Sequence, residues 1–512
     1  MASKPDSKEK SRIMDFPPHL DALLNEFWDL PSTQYCSGTV PLTKDTCTIF
    51  FRSGAESNFV DFTNPEAHKL SALSNACQPA TFGLGSQDVL DDTYRKAGKM
   101  DTSDFATLFS PTTNGIAESI KNELFVTDPD SGRDLKVELY KLNVYGPGSF
   151  FKAHVDTPRS DTMIGSLVVI FPTAHEGGVL HFRKGDERWA FDSAKATATA
   201  SHTTPHVAYV AFYSDLEHEV SPVTAGYRVT LTYNLYIEPQ AQIARPLNTD
   251  IRESHASDQS TLEHKMTHSI TSLLSDASLL PSGGLLGFPL SHVYPFNTES
   301  TKLSTIQNCL KGLDVHLLRV LSSLSHSHSF SFHLKALYKL TSASSISFFL
   351  DEFLVVPSGE INHDLGGLWN YLEELNSKKK KEMMKMDVER EGGPQSNHGD
   401  TPIAIIAYDA RVGYIPKGSE EQNYFWTEEE RDEDDPGWRE RTGKEKTVPV
   451  PVVWVTNTRK VEVEVEETTK PTGFKMPYLA YGNEASMKDA YGELCFVVQV
   501  KSASERVGSG VT

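Results

Sequence analysis

The sequence predicts an α+β protein built around a compact antiparallel β-core, and three observations lead to this prediction. Between residues 137 and 238, short β-rich runs follow one another: VELYKLNVY, GSLVVIF, GVLHF, RWAF, HVAYVAFY and YRVTLTYNLYI. Glycine-containing turns such as GPGS, HEGG, KGDE and TAG separate the runs. On both sides of this range, helical patterns alternate with strand-like ones. Such a core indicates a sandwich, barrel or jelly roll, and a double-stranded β-helix (cupin-like jelly roll) also accounts for the polar residues within its strands.

Changes in composition along the 512 residues divide the chain into six segments, of which the last three form a mixed α/β carboxyl-terminal part. In order they are a disordered amino terminus (1–12), a helical and mixed supporting region (13–136), the β-core (137–238), a mostly helical region (239–376), a charged linker or long loops (377–446) and a β-rich region (447–512). Within the last segment, the run VEVEVEE alternates as a half-exposed strand would.

The composition limits the partners and the compartment. With 69 acidic and 49 basic residues, the formal net charge is -20, and such a chain repels the phosphate backbone of nucleic acids. No window has the apolar length of a membrane-spanning helix, and the amino-terminal residues lack the apolar core of a secretion signal. The five cysteines are scattered without a C-x-x-C pair, which is typical of a reducing compartment. We therefore expect a cytoplasmic or nuclear protein whose partners include neither nucleic acid nor membrane.

The run YKLNVYGPGSFFKAHVDT carries a His-x-Asp pair, His154 and Asp156, at the end of a predicted strand. Residues two apart in a strand project to the same face, so both side chains can reach one metal ion. Two other His-x-Asp pairs lie beside a Pro-Pro pair and in a Gly-rich linker, where nothing would hold two ligands rigidly. By itself the pair could equally be a hydrogen-bonded pair of strand-end residues. A metal site needs a third ligand.

His218 is the candidate for that ligand, because it lies between a strand that ends near Tyr213 and one that begins near Tyr227. Two histidines and one carboxylate can bind ferrous iron and leave its opposite face open. Ten residues after His218 comes Arg228, which shares the polar face of its strand with Thr230. An arginine inside a barrel needs an anion, and a carboxylate satisfies it with two charge-assisted hydrogen bonds. The dicarboxylate 2-oxoglutarate meets this need, and Thr230 could add a hydroxyl donor.

These elements resemble the catalytic domain of the Fe(II)/2-oxoglutarate dioxygenases of the prolyl 4-hydroxylase-like superfamily, specifically the fungal-type proteins that carry it. The resemblance covers about a fifth of the chain and depends on five ordered segments: KLNVYGPG, HVD, GSLVVIFPTAHEGGVLHF, FYSDLEHEV and GYRVTL. It implies that His154, Asp156 and His218 bind the iron. It also implies that Arg228 anchors the distal carboxylate of 2-oxoglutarate and that Tyr145 contacts the same molecule.

The resemblance also implies an activity. Members of this superfamily use dioxygen to decarboxylate 2-oxoglutarate to succinate and to oxidise a C–H bond, often with ascorbate to keep the iron reduced. We therefore expect an oxidoreductase that hydroxylates a protein side chain, such as proline, or a small metabolite. Two alternatives stay open: a catalytically idle barrel that acts as a binding or scaffold protein, and a zinc-dependent hydrolase on the same barrel. Arg228 disfavours the hydrolase, which would not need that anchor.

For several residues near these candidates, the sequence predicts a role less specifically. Asp215 and Glu219 flank His218 and either orient its ring or face solvent. His175 lies in a run of turn-forming residues and is expected to have a surface or packing role. The stretch DTPRSDTM after the His-x-Asp pair, and the insertion between Phe191 and Val207, are expected to surround the substrate.

Overall fold

The computed structural model describes residues 17–28, 30, 32–84, 87–124, 133–199, 204–239, 253–297, 302–328, 330–339, 346–351, 404–409, 450–455, 481–482 and 489–508. The predicted disordered segment 1–12, most of the predicted linker and the VEVEVEE run lie outside these residues.

The helices and strands follow in chain order. The helices are α1 (Pro18–Trp28), α2 (Ala67–Ala76), α3 (Ile116–Glu123), α4 (Ser193–Thr199), α5 (Glu253–Ser275), α6 (Leu303–Gln307), α7 (Gly312–His328) and α8 (Ala503–Gly508). The amino-terminal strands are β1 (Tyr35–Pro41), β2 (Thr48–Ser53), β3 (Glu56–Asp61), β4 (Gln78–Pro79), β5 (Phe82–Leu84), β6 (Gln87–Val89), β7 (Arg95–Lys96), β8 (Gly98–Asp101) and β9 (Phe105–Thr107). The central strands are β10 (Arg133–Tyr145), β11 (Phe150–His154), β12 (Met163–Ile170), β13 (His175–Gly177), β14 (Leu180–Lys184), β15 (Glu187–Phe191), β16 (His206–Tyr213), β17 (Glu217–Val220), β18 (Val223–Gly226) and β19 (Arg228–Pro239). The carboxyl-terminal strands are β20 (Gly284–Pro289), β21 (Tyr294–Asn297), β22 (Phe332–Lys339), β23 (Ile346–Leu350), β24 (Ala404–Asp409), β25 (Val450–Trp454), β26 (Tyr481–Gly482), β27 (Asp489–Gly492) and β28 (Leu494–Val500).

Two antiparallel sheets form the predicted double-stranded β-helix in the middle of the chain. One has seven strands in the order β1-β16-β12-β19-β10-β8-β4, and the other has five in the order β15-β14-β17-β11-β7. A single hydrophobic cluster joins side chains of both sheets, among them Tyr145, Phe151, Leu180 and Phe212. The predicted core supplies most of the strands. The remaining four, β1, β4, β7 and β8, come from the amino-terminal supporting region.

Strand β16 shows how the sequence builds this core. Its run HVAYVAFY is almost entirely buried, because each of its two faces meets a different hydrophobic cluster. Val207, Tyr209 and Ala211 pack into a cluster behind the large sheet, which includes residues of α2 and α3. Val210 and Phe212 pack between the two sheets. A continuous apolar run therefore marks the strand that separates the two clusters.

The carboxyl-terminal region contains a closed mixed sheet in the order β20-β25-β24-β23-β22-β28. β25 pairs parallel with both β20 and β24, and the other pairs are antiparallel. Helices α1, α5 and α7 share a hydrophobic core with this sheet. Along the parts of the chain that the structure describes, no helix is long and apolar enough to cross a membrane. The cytoplasmic or nuclear location stays a prediction.

This sheet differs from the expected organisation of the carboxyl-terminal part. Range 239–376, expected to be mostly helical, contains α5, α6 and α7 but also β20 to β23, and β24 lies within the expected linker. The physical reason is that a short apolar run such as GLLGFP or ISFFL has no periodicity that separates a strand from a buried helix. The six segment boundaries themselves stay predictions.

Candidate metal centre and cosubstrate pocket

Strands β11 and β17 bring two histidines to one point. The strands pair antiparallel with His154 directly opposite His218, and the centroids of the two rings are 4.3 Å apart. Asp156 follows β11, with its Oδ1 atom 3.9 Å from Nε2 of His218. All three residues are buried, and their ligand atoms lie within 4.8 Å of one another. The structure thus brings together the His-x-Asp pair and the distant histidine as predicted.

Backbone carbonyls fix the orientation of both imidazole rings. Nδ1 of His154 lies 2.8 Å from the carbonyl oxygen of Lys152, and Nδ1 of His218 lies 2.9 Å from that of Leu216. A carbonyl only accepts, so each Nδ1 carries the proton and each Nε2 keeps a lone pair for a metal. Burial, and then the neighbouring His218, lower the pKa of His154 well below its usual value. Two imidazoles and a carboxylate are a donor set that suits ferrous iron.

Ser166 on β12 holds the third ligand in place. Its Oγ donates a hydrogen bond of 2.5 Å to Oδ2 of Asp156, and the backbone N–H of Asp156 donates to the carbonyl of Ser214. Asp156 is 3% exposed, so no water shell competes with these bonds. With Oδ2 bound to Ser166, Oδ1 is the carboxylate oxygen that lies nearer His218.

Replacement of Ser166 by alanine is expected to weaken metal binding about tenfold, the size typical for loss of a partner that orients a ligand. Calorimetric titration of the oxygen-free protein with Mn(II) measures the effect. Ser214→Ala is the matched control, because Ser214 is equally buried and its Oγ has no hydrogen-bond partner among the described residues. Equal losses in both variants would mean that Ser166 does not act on Asp156.

The triad lines a pocket that encloses about 560 Å³, including its open mouth. The three residues expected to bind the cosubstrate, Tyr145, Thr230 and Arg228, line the same pocket. Strand register places them together, because β10 pairs with β19 so that Tyr145 lies opposite Arg228 and Asn143 lies opposite Thr230. The Oγ1 atom of Thr230 donates to the carbonyl of Asn143 at 3.4 Å.

Arg228 is a buried cation in this pocket, with 2% of its surface exposed. Its guanidinium lies 5.5 Å from the centroid of the Tyr145 ring, and its Nε donates to Oγ of Ser193 at 3.3 Å. Burial lowers the pKa of Arg228 and Tyr145 opposes this change, but no carboxylate of the described residues pairs with it. An uncompensated buried charge is costly. The surroundings of Arg228 therefore fit an anionic ligand.

Two further basic side chains, Arg95 and Lys141, line the pocket and were not predicted. Arg95 on β7 donates to the carbonyl of Thr81 at 2.6 Å and to Oδ1 of Asn143 at 3.4 Å. Lys141 is buried on β10, and burial followed by repulsion from Arg95 lowers its pKa to about 6. Period-2 alternation in KLNVY places Lys141 on the same face as Asn143 and Tyr145, so the sequence contained a signal for it. Arg95 lies outside the core segment, where no local pattern marks it.

Asp215 links the turn before His218 to the carboxyl-terminal region. Its carboxylate accepts from Nζ of Lys311 at 2.8 Å and from Nδ1 of His292 at 3.0 Å, and all three side chains are buried. Although burial alone would raise it, Lys311 and His292 hold the pKa of the Asp215 carboxyl well below its usual range. Asp215 and Glu219 were each expected either to orient the His218 ring or to face solvent. Solvent exposure is wrong for Asp215, whose side chain is buried. Glu219 is exposed.

We expect Asp215→Asn to lower the free energy of unfolding by about 3–5 kcal/mol, because it leaves the Lys311 ammonium buried without its partner. Replacement of both residues, Asp215→Asn with Lys311→Met, is expected to cost clearly less than the sum of the single changes. Urea unfolding of the four proteins measures this coupling. Additive losses would contradict a direct interaction.

Comparison with known proteins agrees with this geometry. A family model described as the 2OG-Fe(II) oxygenase superfamily matches residues 140–236, which contain the triad and Arg228. No curated protein matches the chain. The fungal type within the superfamily stays a prediction.

Three solved structures are similar to part of the chain. A prolyl-4-hydroxylase from Pseudomonas putida has 16% identity over 42% of this chain and 98% of its own, with a TM-score of 0.24. A prolyl hydroxylase from Trichoplax adhaerens, in complex with a hypoxia inducible factor peptide fragment, has 14% identity over 43% of this chain and 91% of its own, with a TM-score of 0.23. A 2OG-Fe(II) oxygenase family oxidoreductase from Burkholderia pseudomallei has 14% identity over 43% of this chain and 78% of its own, with a TM-score of 0.20. From the family match and the buried triad, the chain contains an enzyme domain of the 2OG-Fe(II) oxygenase superfamily over residues 140–236.

Proposed function

We propose that the protein is an Fe(II)- and 2-oxoglutarate-dependent dioxygenase that couples decarboxylation of 2-oxoglutarate to succinate with hydroxylation of a second molecule. The observation that carries this proposal is that the His-Asp-His triad and the buried Arg228 line one pocket. Ferrous iron bound there would supply the site for chelation of the 2-oxo acid and for activation of dioxygen.

The residues of the chain have distinct tasks in this proposal. His154, Asp156 and His218 hold the metal, while Arg228 binds the distal carboxylate of 2-oxoglutarate. Thr230 adds a donor when its hydroxyl turns from the Asn143 carbonyl to that carboxylate. With the distal end fixed, the 2-oxo acid group at the other end of the molecule is directed toward the metal. Tyr145 lines the pocket beside Arg228, where it can contact the same ligand.

Aromatic side chains support the metal centre and keep water out. Phe151 stacks on His154 with ring centroids 3.5 Å apart, and Phe212 packs on His218 at 4.6 Å. Together with Leu180, these rings form an apolar wall of the pocket. Such a wall limits the hydration of the site and strengthens the charge interactions within it.

Arg228 and the orientation of the two imidazole rings favour the dioxygenase over the two alternatives. A zinc-dependent hydrolase would use the triad and a bound water, but would have no need for a buried guanidinium in the same pocket. An idle barrel would have no need for ring orientations that direct both Nε2 atoms toward a metal. The dioxygenase uses both features.

For the second molecule, we propose a protein side chain such as proline, or a small metabolite. The stretch expected to surround the substrate contains Arg159, whose guanidinium donates to the hydroxyl of Tyr140. Tyr140 lines the pocket and Arg159 is exposed. This pair supports an approach of the substrate along the DTPRSDTM stretch.

The proposal is tested by succinate formation from 2-oxoglutarate in air, with Fe(II) and with ascorbate added to keep the iron reduced. Many enzymes of this chemistry turn over slowly without substrate, so we expect slow succinate formation by the wild-type protein. It should stop without oxygen and in His154→Ala. Succinate that forms equally in the oxygen-free sample would contradict the proposal.

A further inference from the structure

We propose that His175 and Ser193 are positioning residues that hold Arg228 at one depth in the pocket, and that they thereby set the chain length of the 2-oxo dicarboxylate that the pocket accepts. This inference rests on the proposed function, in which Arg228 binds the distal carboxylate of the cosubstrate. It gives a function to the insertion after Phe191, whose helix α4 begins at Ser193.

A directed chain of hydrogen bonds runs from Nε of Arg228 through Ser193 and His175 to the carbonyl of Thr173. Nδ1 of His175 lies 2.8 Å from the carbonyl oxygen of Thr173, which only accepts, so the proton of the neutral ring is on Nδ1. Nε2 of His175 therefore accepts from Oγ of Ser193, at 3.2 Å. Having donated its proton, Oγ of Ser193 accepts from Nε of Arg228 at 3.3 Å. Each donor in this chain has one acceptor, and the chain has one direction.

The chain is closed to solvent. Ser193 is 1% exposed and His175 is 8% exposed, so water cannot readily replace either group as a hydrogen-bond partner of its neighbour. Burial lowers the pKa of His175, and the Arg228 charge acts in the same direction. The neutral ring that the chain requires is therefore the favoured state.

Packing restricts Arg228 from other sides. Gly178 has φ +67°, and a Cβ atom at that position would lie 2.8 Å from Cδ of Arg228. The side chain therefore passes directly over the Gly178 backbone, while its guanidinium lies near the Tyr145 ring. Because Nε is bound to Ser193, the edge formed by the two Nη atoms is the one that can bind a carboxylate in bidentate fashion.

A guanidinium fixed in this way selects ligand length. His154, His218 and Arg228 lie on strands, and Asp156 is held by Ser166 just after β11. The space between metal and anchor therefore suits one number of carbon atoms. We infer that 2-oxoglutarate fits this space and that 2-oxoadipate, which has one more carbon, is disfavoured. Without the Ser193 hydroxyl, Arg228 can adopt other rotamers and follow a longer ligand.

The test is calorimetric titration of the full-length protein, loaded with Mn(II) without oxygen, with 2-oxoglutarate and separately with 2-oxoadipate. For Ser193→Ala we expect the Kd for 2-oxoglutarate to rise about tenfold, as expected for loss of a hydrogen bond to a charged group. The Kd for 2-oxoadipate should change less than about threefold, so the discrimination between the two acids falls. His175→Phe, which keeps the ring shape but removes the acceptor, should change discrimination in the same direction.

Two controls separate positioning from general damage. Ser193→Thr keeps the hydroxyl and should retain most of the discrimination between the acids. Thr197→Val removes a hydroxyl of the same helix, which among the described residues bonds only to the helix carbonyls of Ser193 and Ala194. This change should leave both Kd values unchanged. Mn(II) binding should be unchanged in every one of these variants.

The outcomes distinguish this inference from the proposed function. Suppose that Ser193→Ala and His175→Phe keep the wild-type ratio of the two Kd values while Arg228→Ala loses 2-oxoglutarate binding. The positioning role of Ser193 and His175 is then wrong, but Arg228 still binds the cosubstrate. If Arg228→Ala binds 2-oxoglutarate as the wild type does, Arg228 does not bind the cosubstrate, and the positioning role is wrong as well.

Discussion

The His218→Ala protein is expected to bind Mn(II) and Fe(II) at least about a hundredfold more weakly than the wild type, and to form no succinate. The change removes one of the three ligand atoms that lie within 4.8 Å of one another, and a ligand contributes more than the partners that merely orient it. Calorimetric titration with Mn(II) in the absence of oxygen measures the loss.

His181→Ala is the matched control for this experiment. His181 lies on β14, opposite Glu219 and next to the Phe182–His218 pair of the same sheet, but outside the triad. We expect it to bind Mn(II) as the wild type does. Wild-type affinity in His218→Ala would show that the metal binds elsewhere in the chain.

Arg228→Ala is expected to raise the Kd for 2-oxoglutarate about a hundredfold or more, while Mn(II) binding stays unchanged. Each hydrogen bond to a charged group contributes about 1.5–3 kcal/mol, and a bidentate carboxylate contact loses two of them. Arg228→Lys keeps the charge but not the planar fork, so we expect an intermediate loss of about tenfold. Titration of the Mn(II)-loaded variants with 2-oxoglutarate measures both values.

Arg183 supplies the control for the charge itself. It lies on β14 and pairs with Glu217 at the surface, so Arg183→Ala removes one positive charge without changing the pocket. Its affinity for 2-oxoglutarate should match that of the wild type. A similar loss in both arginine variants would indicate a general effect of net charge rather than an anchor.

The sequence was sufficient to locate the triad because strand periodicity and chain order carry that information. Residues two apart in an extended segment project to one face, which selected His154 and Asp156. His218 was selected by the strands on either side of it, and β17 places it opposite His154. Arg228 was selected because it lies on the polar face of the strand that is now β19. Its pairing opposite Tyr145 accounts for its position in the pocket.

Contacts between distant segments were not predictable in the same way. Strands β1, β4, β7 and β8 complete the two central sheets, although their short sequences contain no pattern that assigns them to those sheets. The bonds from His175 through Ser193 to Arg228 join strand β13, helix α4 and strand β19. Each residue alone is an ordinary polar group, and only the fold gives the three a common role.

The carboxyl-terminal region illustrates the same limit on a larger scale. Its closed sheet joins β20 to β25 in parallel, so strands far apart in the sequence become neighbours. Parallel pairing of this kind depends on the path of the intervening chain and not on local periodicity. The buried pair of Asp215 and Lys311 likewise links this region to the turn before His218 across a long sequence separation.

We propose that one pocket holds Fe(II) at the triad and 2-oxoglutarate between the metal and Arg228. The most direct measurement is an oxygen-free titration of the wild-type protein with Fe(II) and then with 2-oxoglutarate, followed by the visible charge-transfer absorption of a 2-oxo acid chelated to ferrous iron. We predict that the band appears only when both are present and saturates at one equivalent of each. A protein that binds both molecules without developing the band would contradict the claim, because the cosubstrate would then lie away from the metal.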